Sequence, residues 1–326
     1  MANIKHRMQS TLHGLYQKGR GMKKKSDPTH QYIHSKITLQ TYLAEVERYA
    51  KWLKDQGIKM RCFEQEAAEQ VPRYLRGLAQ AGRSPSTIHT AAAALCKALP
   101  GTGLVMADLP HPRRTHAPRK GRAAAPSLRR RSDADAQNPK YRRLVDFAKV
   151  VGLRRDEYRN LRGRDLTHID GHAYVIVERG KGGKTQYQRI DDVDAPLIES
   201  YFMGLEQDDP VFSEEEMKNK INLHRLRREH AQEMYRRYLA RLEADPAYQG
   251  QLLREIKEAF RRAGQDWRRN PDMRRLATPY VCRGHVRESL DEAGRAVAYD
   301  RLALMAVSVF HLAHWRADVT VKNYMQ

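Results

Sequence analysis

Residues 106–131 hold eight Lys or Arg against one acid, Asp108, together with Pro110, Pro112, Pro118 and Pro126. Like charges and prolines at that density leave too little apolar surface to offset the entropy of ordering the chain. Such a stretch cannot be the middle of a packed domain, so it divides the 326 residues in two. It reads as a plain spacer or as a basic strap along a phosphate backbone, and the single sign of its charge favours the strap. The expected organisation is a basic arm over 1–29, a first domain over 30–105, a linker over 106–137 and a second domain over 138–326.

The arm has weak apolar periodicity and ends in Lys23, Lys24 and Lys25, which suits a mobile arm or a frayed helix. From Thr38 the period becomes helical: Leu39, Tyr42, Leu43, Val46, Tyr49, Ala50 and Leu53 share one face, with Thr38 as the expected N-cap and Gly57 as the stop. A second helix is expected over 69–81, with Pro72 tolerable only in its first turn, and it stops at Gly82. Ser84-Pro85-Ser86-Thr87 is a helix start, followed by an alanine-rich run from Ile88 to Leu99. The first domain is therefore a small all-α bundle.

In the second domain Leu144, Phe147, Ala148 and Val151 predict one helix, and residues 155–161 another. The period then changes to two. Residues 172–178 and 185–189 flank Gly180-Lys181-Gly182-Gly183, a β-hairpin signal. Residues 213–266 are helical and densely charged, with Leu223, Leu226, Met234, Tyr235, Tyr238, Leu239 and Leu242 as one buried face. Pro246 separates that helix from one carrying Leu252, Leu253, Ile256 and Phe260, and further helices are expected over 283–293 and 299–312. The fold class is mainly α with a small antiparallel sheet.

Sixty Lys and Arg against 39 Asp and Glu give a formal net charge of +21. A charge of that size seeks a polyanion, and nucleic acid is the commonest one, although basic RNA-binding and membrane-surface proteins share the composition. Cys62, Cys96 and Cys282 are far apart and fit neither a disulfide framework nor a zinc site, which points to a reducing compartment. The polar amino terminus lacks an apolar signal core, and no run of 18 apolar residues occurs. The expectation is a cytoplasmic protein on nucleic acid, with no membrane, metal or small-molecule cofactor.

Five short elements then occur in a meaningful order. Gly152-Leu153-Arg154 with Asp156, Glu157 and Leu161 resembles the first catalytic box of the tyrosine recombinases, the phage integrase family. Gly180-Lys181-Gly182 resembles the family's hairpin, whose lysine is catalytic. Thr278-Pro279-Tyr280-Val281-Cys282-Arg283 resembles the second box, normally Thr-Pro-His-x-x-Arg. Leu312-Ala313-His314 resembles the Leu-Gly-His element, and Tyr324 follows at the spacing of the nucleophile. Ser84-Pro85-Ser86-Thr87-Ile88 is similar to a helix start in the family's DNA-binding domain. The resemblance spans about residues 30–326. It implies a helical, SAM-like core-binding domain followed by a catalytic domain.

What the resemblance implies is a site-specific recombinase with Arg154, Lys181, Tyr280, Arg283, His314 and Tyr324 as its catalytic set. It would act on double-stranded DNA as a tetramer, in integration or excision of a mobile element. Ser86, Thr87, the lysines at 23–25, and Arg113, Arg114, Arg129, Arg130 and Arg131 are the expected DNA contacts. The chemistry suits the residues: a tyrosine makes a phosphotyrosyl ester that a 5′-hydroxyl can reverse, and guanidiniums hold the non-bridging oxygens. Two positions depart from the family pattern. Tyr280 stands where a histidine is usual, and Gly284 where a second one often follows. Only two residues follow Tyr324, too few for a tail docked on a neighbour; if the chain assembles, protomer contacts would come from 213–266 or the arm, although 213–266 reads rather as a larger helical layer. Two alternatives stay open: a catalytically impaired DNA-binding descendant, and an enzyme like a type IB topoisomerase.

Overall fold

A computed structural model describes the chain apart from residues 1–2, 23–25, 111–125, 179, 181–184 and 326, and apart from the side chains of 126–129, 285, 286 and 289. Lys23, Lys24, Lys25, Arg113, Arg114, Lys181 and the side chain of Arg129 therefore lie outside the described residues. The chain divides into two compact units, Met1–Thr115 and His116–Gln326.

The first unit is four helices: α1 (Ile4–Gly19), α2 (Lys36–Asp55), α3 (Glu64–Gln80) and α4 (Pro85–Ala98). The basic arm expected over 1–29 is instead largely helix α1, which buries Ile4, Met8 and Leu12 in one core with Val46, Leu75, Ile88 and Leu95. Those three residues recur every four positions, a stripe one residue wide that scattered bases hide in the sequence. Helix α2 starts earlier than Thr38: the Ser35 side chain accepts from the Thr38 amide at 3.1 Å. Pro72 lies within α3 rather than in its first turn, because burying Ala67 and Ala68 extends the helix to Glu64. The Ser84 cap of α4 is as expected, with Ser86 and Thr87 in the first turn.

The second unit opens with α5 (Pro126–Gln137), where the sequence predicts linker. Its acceptors explain the order: Ser132 Oγ takes the Asn222 amide at 2.9 Å, Asp135 the Lys220 amide at 2.6 Å, and Asp133 pairs with Arg225 at 3.0 Å. Then come α6 (Arg142–Val150), α7 (Arg155–Asn160) and an antiparallel sheet in the order β1 (Leu166–Ile169), β2 (His172–Val177), β3 (Gln186–Arg189). Short helices α8 (Ala195–Ser200) and α9 (Glu214–Met217) lead to the long α10 (Leu223–Ala244) and to α11 (Pro246–Arg262). A two-residue pair, β4 (Tyr280–Val281) and β5 (Ala298–Tyr299), brackets α12 (Gly284–Glu292). Helix α13 (Arg301–Ala306) runs into a π-helical turn, Val307–His311, and α14 (Ala317–Tyr324) closes the chain.

Helix α10 organises this unit. Its first turn, with Leu223 and Leu226, belongs to an apolar cluster built on Leu144, Phe147, Tyr158 and Phe212. From Ala231 onward, through Met234 and Tyr238, it belongs to a second cluster with Ile256, Phe260, α13 and α14. Between the two stand Arg227 and His230, both buried, where the amphipathic pattern calls for apolar residues. The unit is mainly helical with two small antiparallel sheets, the fold class read from the sequence. Among the described residues no helix is long and apolar enough to cross a membrane, and no His, Cys, Asp and Glu cluster suits a metal ion.

Candidate active site

Arg227 is wholly buried, a placement that costs several kcal/mol unless each donor finds a partner. It does. Nη1 donates to the Gly152 carbonyl, Nη2 to the Leu312 carbonyl at 2.8 Å, and Nε to the Tyr324 hydroxyl at 3.2 Å. Glu157 adds a carboxylate 3.9 Å away. Burial pulls the guanidinium's pKa down, and the Tyr324 hydroxyl and Glu157 oppose that. The one side chain thus ties together the turn before α7, the turn after the π-helical segment, and α14.

Gly152 makes this approach possible. A Cβ there would lie 2.8 Å from the His230 ring and 3.5 Å from Arg227 Cγ. Behind it runs a buried polar chain whose direction is forced. The Lys149 carbonyl can only accept, so His230 Nδ1 carries the proton at 3.1 Å. His230 Nε2 then accepts from His311 Nδ1 at 3.2 Å, and His311 Nε2 accepts from the Tyr238 hydroxyl at 3.0 Å. Burial holds His311 far below its usual pKa and His230 down to about 3, so both rings are neutral.

Tyr324 ends α14 and is 4 % exposed. Besides Arg227, its hydroxyl meets His314 Nε2 at 3.1 Å, and the His224 ring lies 5.5 Å from its own. Gln232 holds the Tyr324 carbonyl at 2.9 Å. His314 is aimed by an unusual backbone: Ala313 and Trp315 on either side have φ of 50° and 61°, a region that costs non-glycine residues of order 1 kcal/mol or more. The Leu-Gly-His element that the sequence resembles has glycine where Ala313 bears this strain. The His314 amide to the Ser308 carbonyl at 2.9 Å and Asn270 to the Trp315 carbonyl at 2.7 Å hold the turn.

Arg154 precedes α7 and is three-quarters buried. Glu157 accepts from its amide at 2.6 Å and from its Nη1 at 2.5 Å. That carboxylate therefore lies between Arg154 and Arg227. His224, on the exposed rim of α10, has its pKa lowered by partial burial and then by the charges of Arg227, Arg228 and Arg154.

The structure thus gathers Arg154, His314 and Tyr324, and adds Arg227 and His224, which the sequence reading leaves out. Tyr280 and Arg283 are elsewhere. They line an open cleft with Arg275, Arg301 and Lys322, and Tyr324 is not part of its lining. Arg301 stands over the Tyr280 ring at 5.3 Å, while the Tyr324 hydroxyl bonds to Arg227 and His314. The signal that finds the missed pair is present in the sequence. His224-Arg225-Leu226-Arg227 carries the His-x-x-Arg spacing of the second box with its histidine in place. It is masked by position, because it falls inside a charge-rich helix and lacks the preceding Thr-Pro. Ser86 and Thr87 lie in the first turn of α4 in the first unit, and Arg130 and Arg131 are exposed on α5.

No protein-family model matches the chain, and no curated protein does. Among solved structures it is similar to the XerH site-specific recombinase bound to palindromic difH substrate, in a post-cleavage complex, with a TM-score of 0.38, 12 % identity, and 88 % of this chain and 76 % of that one covered. It is also similar to the XerA recombinase, with a TM-score of 0.25, 17 % identity, and coverage of 70 % and 85 %. Both scores lie below the level at which a likeness carries a functional argument, which leaves that argument to the geometry around Tyr324.

Proposed function

We propose that this chain cuts and rejoins DNA through a 3′-phosphotyrosyl intermediate, with Tyr324 as nucleophile. The observation that carries the reading is the Tyr324 hydroxyl held between Arg227 Nε and His314 Nε2. A guanidinium can only donate, so it stabilises the phenolate as it forms, while the phenolic proton is free to move to the imidazole. Tyr324 Oη bonds to phosphorus, the bond from phosphorus to the 5′-oxygen breaks, and the 5′-oxygen leaves as a hydroxyl. Lys181, by resemblance, supplies its proton. Arg154, the more open of the two guanidiniums, is the fork for the non-bridging oxygens. Because Tyr324 is 4 % exposed, α14 must give way locally to meet the phosphate.

This reading assigns the second-box roles to His224 and Arg227 in place of Tyr280 and Arg283. The impaired-enzyme alternative rested on Tyr280 standing where histidine is usual, and in this reading His224 supplies that histidine. Strand exchange by a tetramer, in the service of a mobile element in the cytoplasm, is the wider role that the resemblance implies.

A duplex nicked beside the cleavage point traps the intermediate. The expected result is an SDS-resistant DNA adduct that vanishes in Tyr324→Phe and forms about 10²–10³ times more slowly in Arg227→Gln, the usual loss when a preorganised donor is removed. Arg283→Gln is expected to form it at near wild-type rate on saturating DNA. If Arg283→Gln abolishes the adduct and Arg227→Gln does not, the assignment is reversed. No adduct under any condition would sink the reading.

A further inference from the structure

The cleft that holds Tyr280 and Arg283 is unexplained by this chemistry, yet its charge is lopsided. Two of its arginines are neutralised: Arg301 by Asp272 at 2.6 Å and by the carbonyls of Thr278 and Pro279, Arg316 by Asp318 at 2.7 Å. Arg275, Arg283 and Lys322 are exposed and have no acidic partner among the described residues. Three unpaired cations converging on one concavity repel one another, a cost that an anion would remove. The walls between them, Pro279, Val281 and Val321, are apolar.

The cleft shares a helix with the nucleophile. One of its walls is α14, through Val321 and Lys322, and that helix also carries Tyr324. Lys322 stands two residues before Tyr324, about 3 Å along the helix axis but roughly 200° around it, so the exposed lysine and the buried tyrosine lie on opposite faces of α14. Asp272 reinforces the connection, because its Oδ2 accepts the Ala317 amide at the start of α14 while Oδ1 holds Arg301.

We propose that this cleft binds the sugar–phosphate backbone of duplex DNA, with Arg275, Arg283 and Lys322 each taking one phosphate. The proposal rests on the reading of Tyr324 as a DNA nucleophile and adds a surface to it. The contacts are to backbone, so they position the strand and read no sequence. An acidic protein segment carries charge of the same sign, but the formal net charge of +21 and the proposed reaction favour DNA as the occupant.

The test measures duplex affinity as a function of salt for the full chain carrying Tyr324→Phe, with and without Arg275→Gln, Arg283→Gln and Lys322→Gln together. Each lost phosphate contact lowers the magnitude of the slope of log K against log salt by about 0.9, so the triple variant is expected to lose about 2–3 from it, equally on unrelated sequences. Lys322→Gln alone is expected to lose about 1, which covers the case of a misfolded triple variant. A slope unchanged in both variants overturns the proposal. So does loss of affinity for a polyglutamate peptide with the DNA slope intact, which would make the cleft a protein-docking site. The nicked-duplex adduct of the otherwise unaltered chain separates the two readings. Adduct with an unmoved slope sinks the cleft alone, whereas absence of both adduct and duplex affinity sinks the nucleophile and the cleft with it.

Discussion

At the scale of single residues, the second unit places charge and hydrogen-bonding capacity where its helix pattern asks for hydrocarbon. Arg227 and His230 interrupt the buried face of α10, and both are satisfied by backbone carbonyls that only a folded chain brings near. The neutrality of His230 and His311 has a consequence for stability. In the unfolded chain each imidazole takes a proton near pH 6.5, whereas in the folded chain neither does until far lower pH. Folded pKa values below the unfolded ones mean that the full stability is present above about pH 6.5. It is lost as pH falls from there toward about 3 for His230. The expected slope is about 1.4 kcal/mol per pH unit for each buried histidine. Urea unfolding at pH 7.5, 6 and 5 measures it. His311→Phe should be less stable at pH 7.5, through the lost bonds, yet shallower between pH 6 and 5 by about that amount. Equal slopes in the two proteins would mean that these rings are not buried neutral.

At the scale of elements, legibility followed the width of the apolar stripe. Helices α2, α6, α10 and α11 each present a broad buried face, and the sequence reads them without help. The Ser84 cap and the antiparallel pairing of β2 with β3 are local chemistry and are read equally well. Helix α1 shows why narrower stripes fail, since Ile4, Met8 and Leu12 are separated by polar and basic residues and only the core they enter makes them a face. Helix α5 fails differently, because its stabilising acceptors bond to residues 220, 222 and 225 and no local pattern foretells that. The strands β4 and β5, two residues each, are too short to carry a period. If α1 belongs to the core of the first unit, Leu12→Ala should destabilise that unit by about 2–5 kcal/mol, the range for emptying a fully buried leucine site. A thermal melt followed by helicity measures this, and a shift no larger than that of an exposed alanine substitution on the same helix would return α1 to the status of an arm.

At the scale of the molecule, the boxes can be read in order from the sequence, and under the proposed function the second-box roles pass from Tyr280 and Arg283 to His224 and Arg227. A Thr-Pro followed four residues later by arginine stands about 34 residues after the end of α10, and under the proposed function the burial of Arg227 against Tyr324 favours the α10 pair over it. Arg154, His224, Arg227, His314 and Tyr324 come from positions 170 residues apart at the extremes, yet all belong to the unit His116–Gln326. The first unit contributes none of them. Under the proposed function, chemistry and grip are then divisible: the second unit holds the reacting groups, and the first adds attraction for the same polyanion. Linking two binding modules typically raises avidity 10²–10⁴-fold without altering either. A fragment spanning residues 126–326 should therefore need roughly 10²–10⁴ times more nicked duplex to reach half-saturation than the full chain. At saturation its adduct should form within about tenfold of the full chain's rate, since no donor to the transition state has been removed. A folded fragment that binds the duplex and yet gives no adduct at any concentration would place a reacting group in the first unit, and the division would fall.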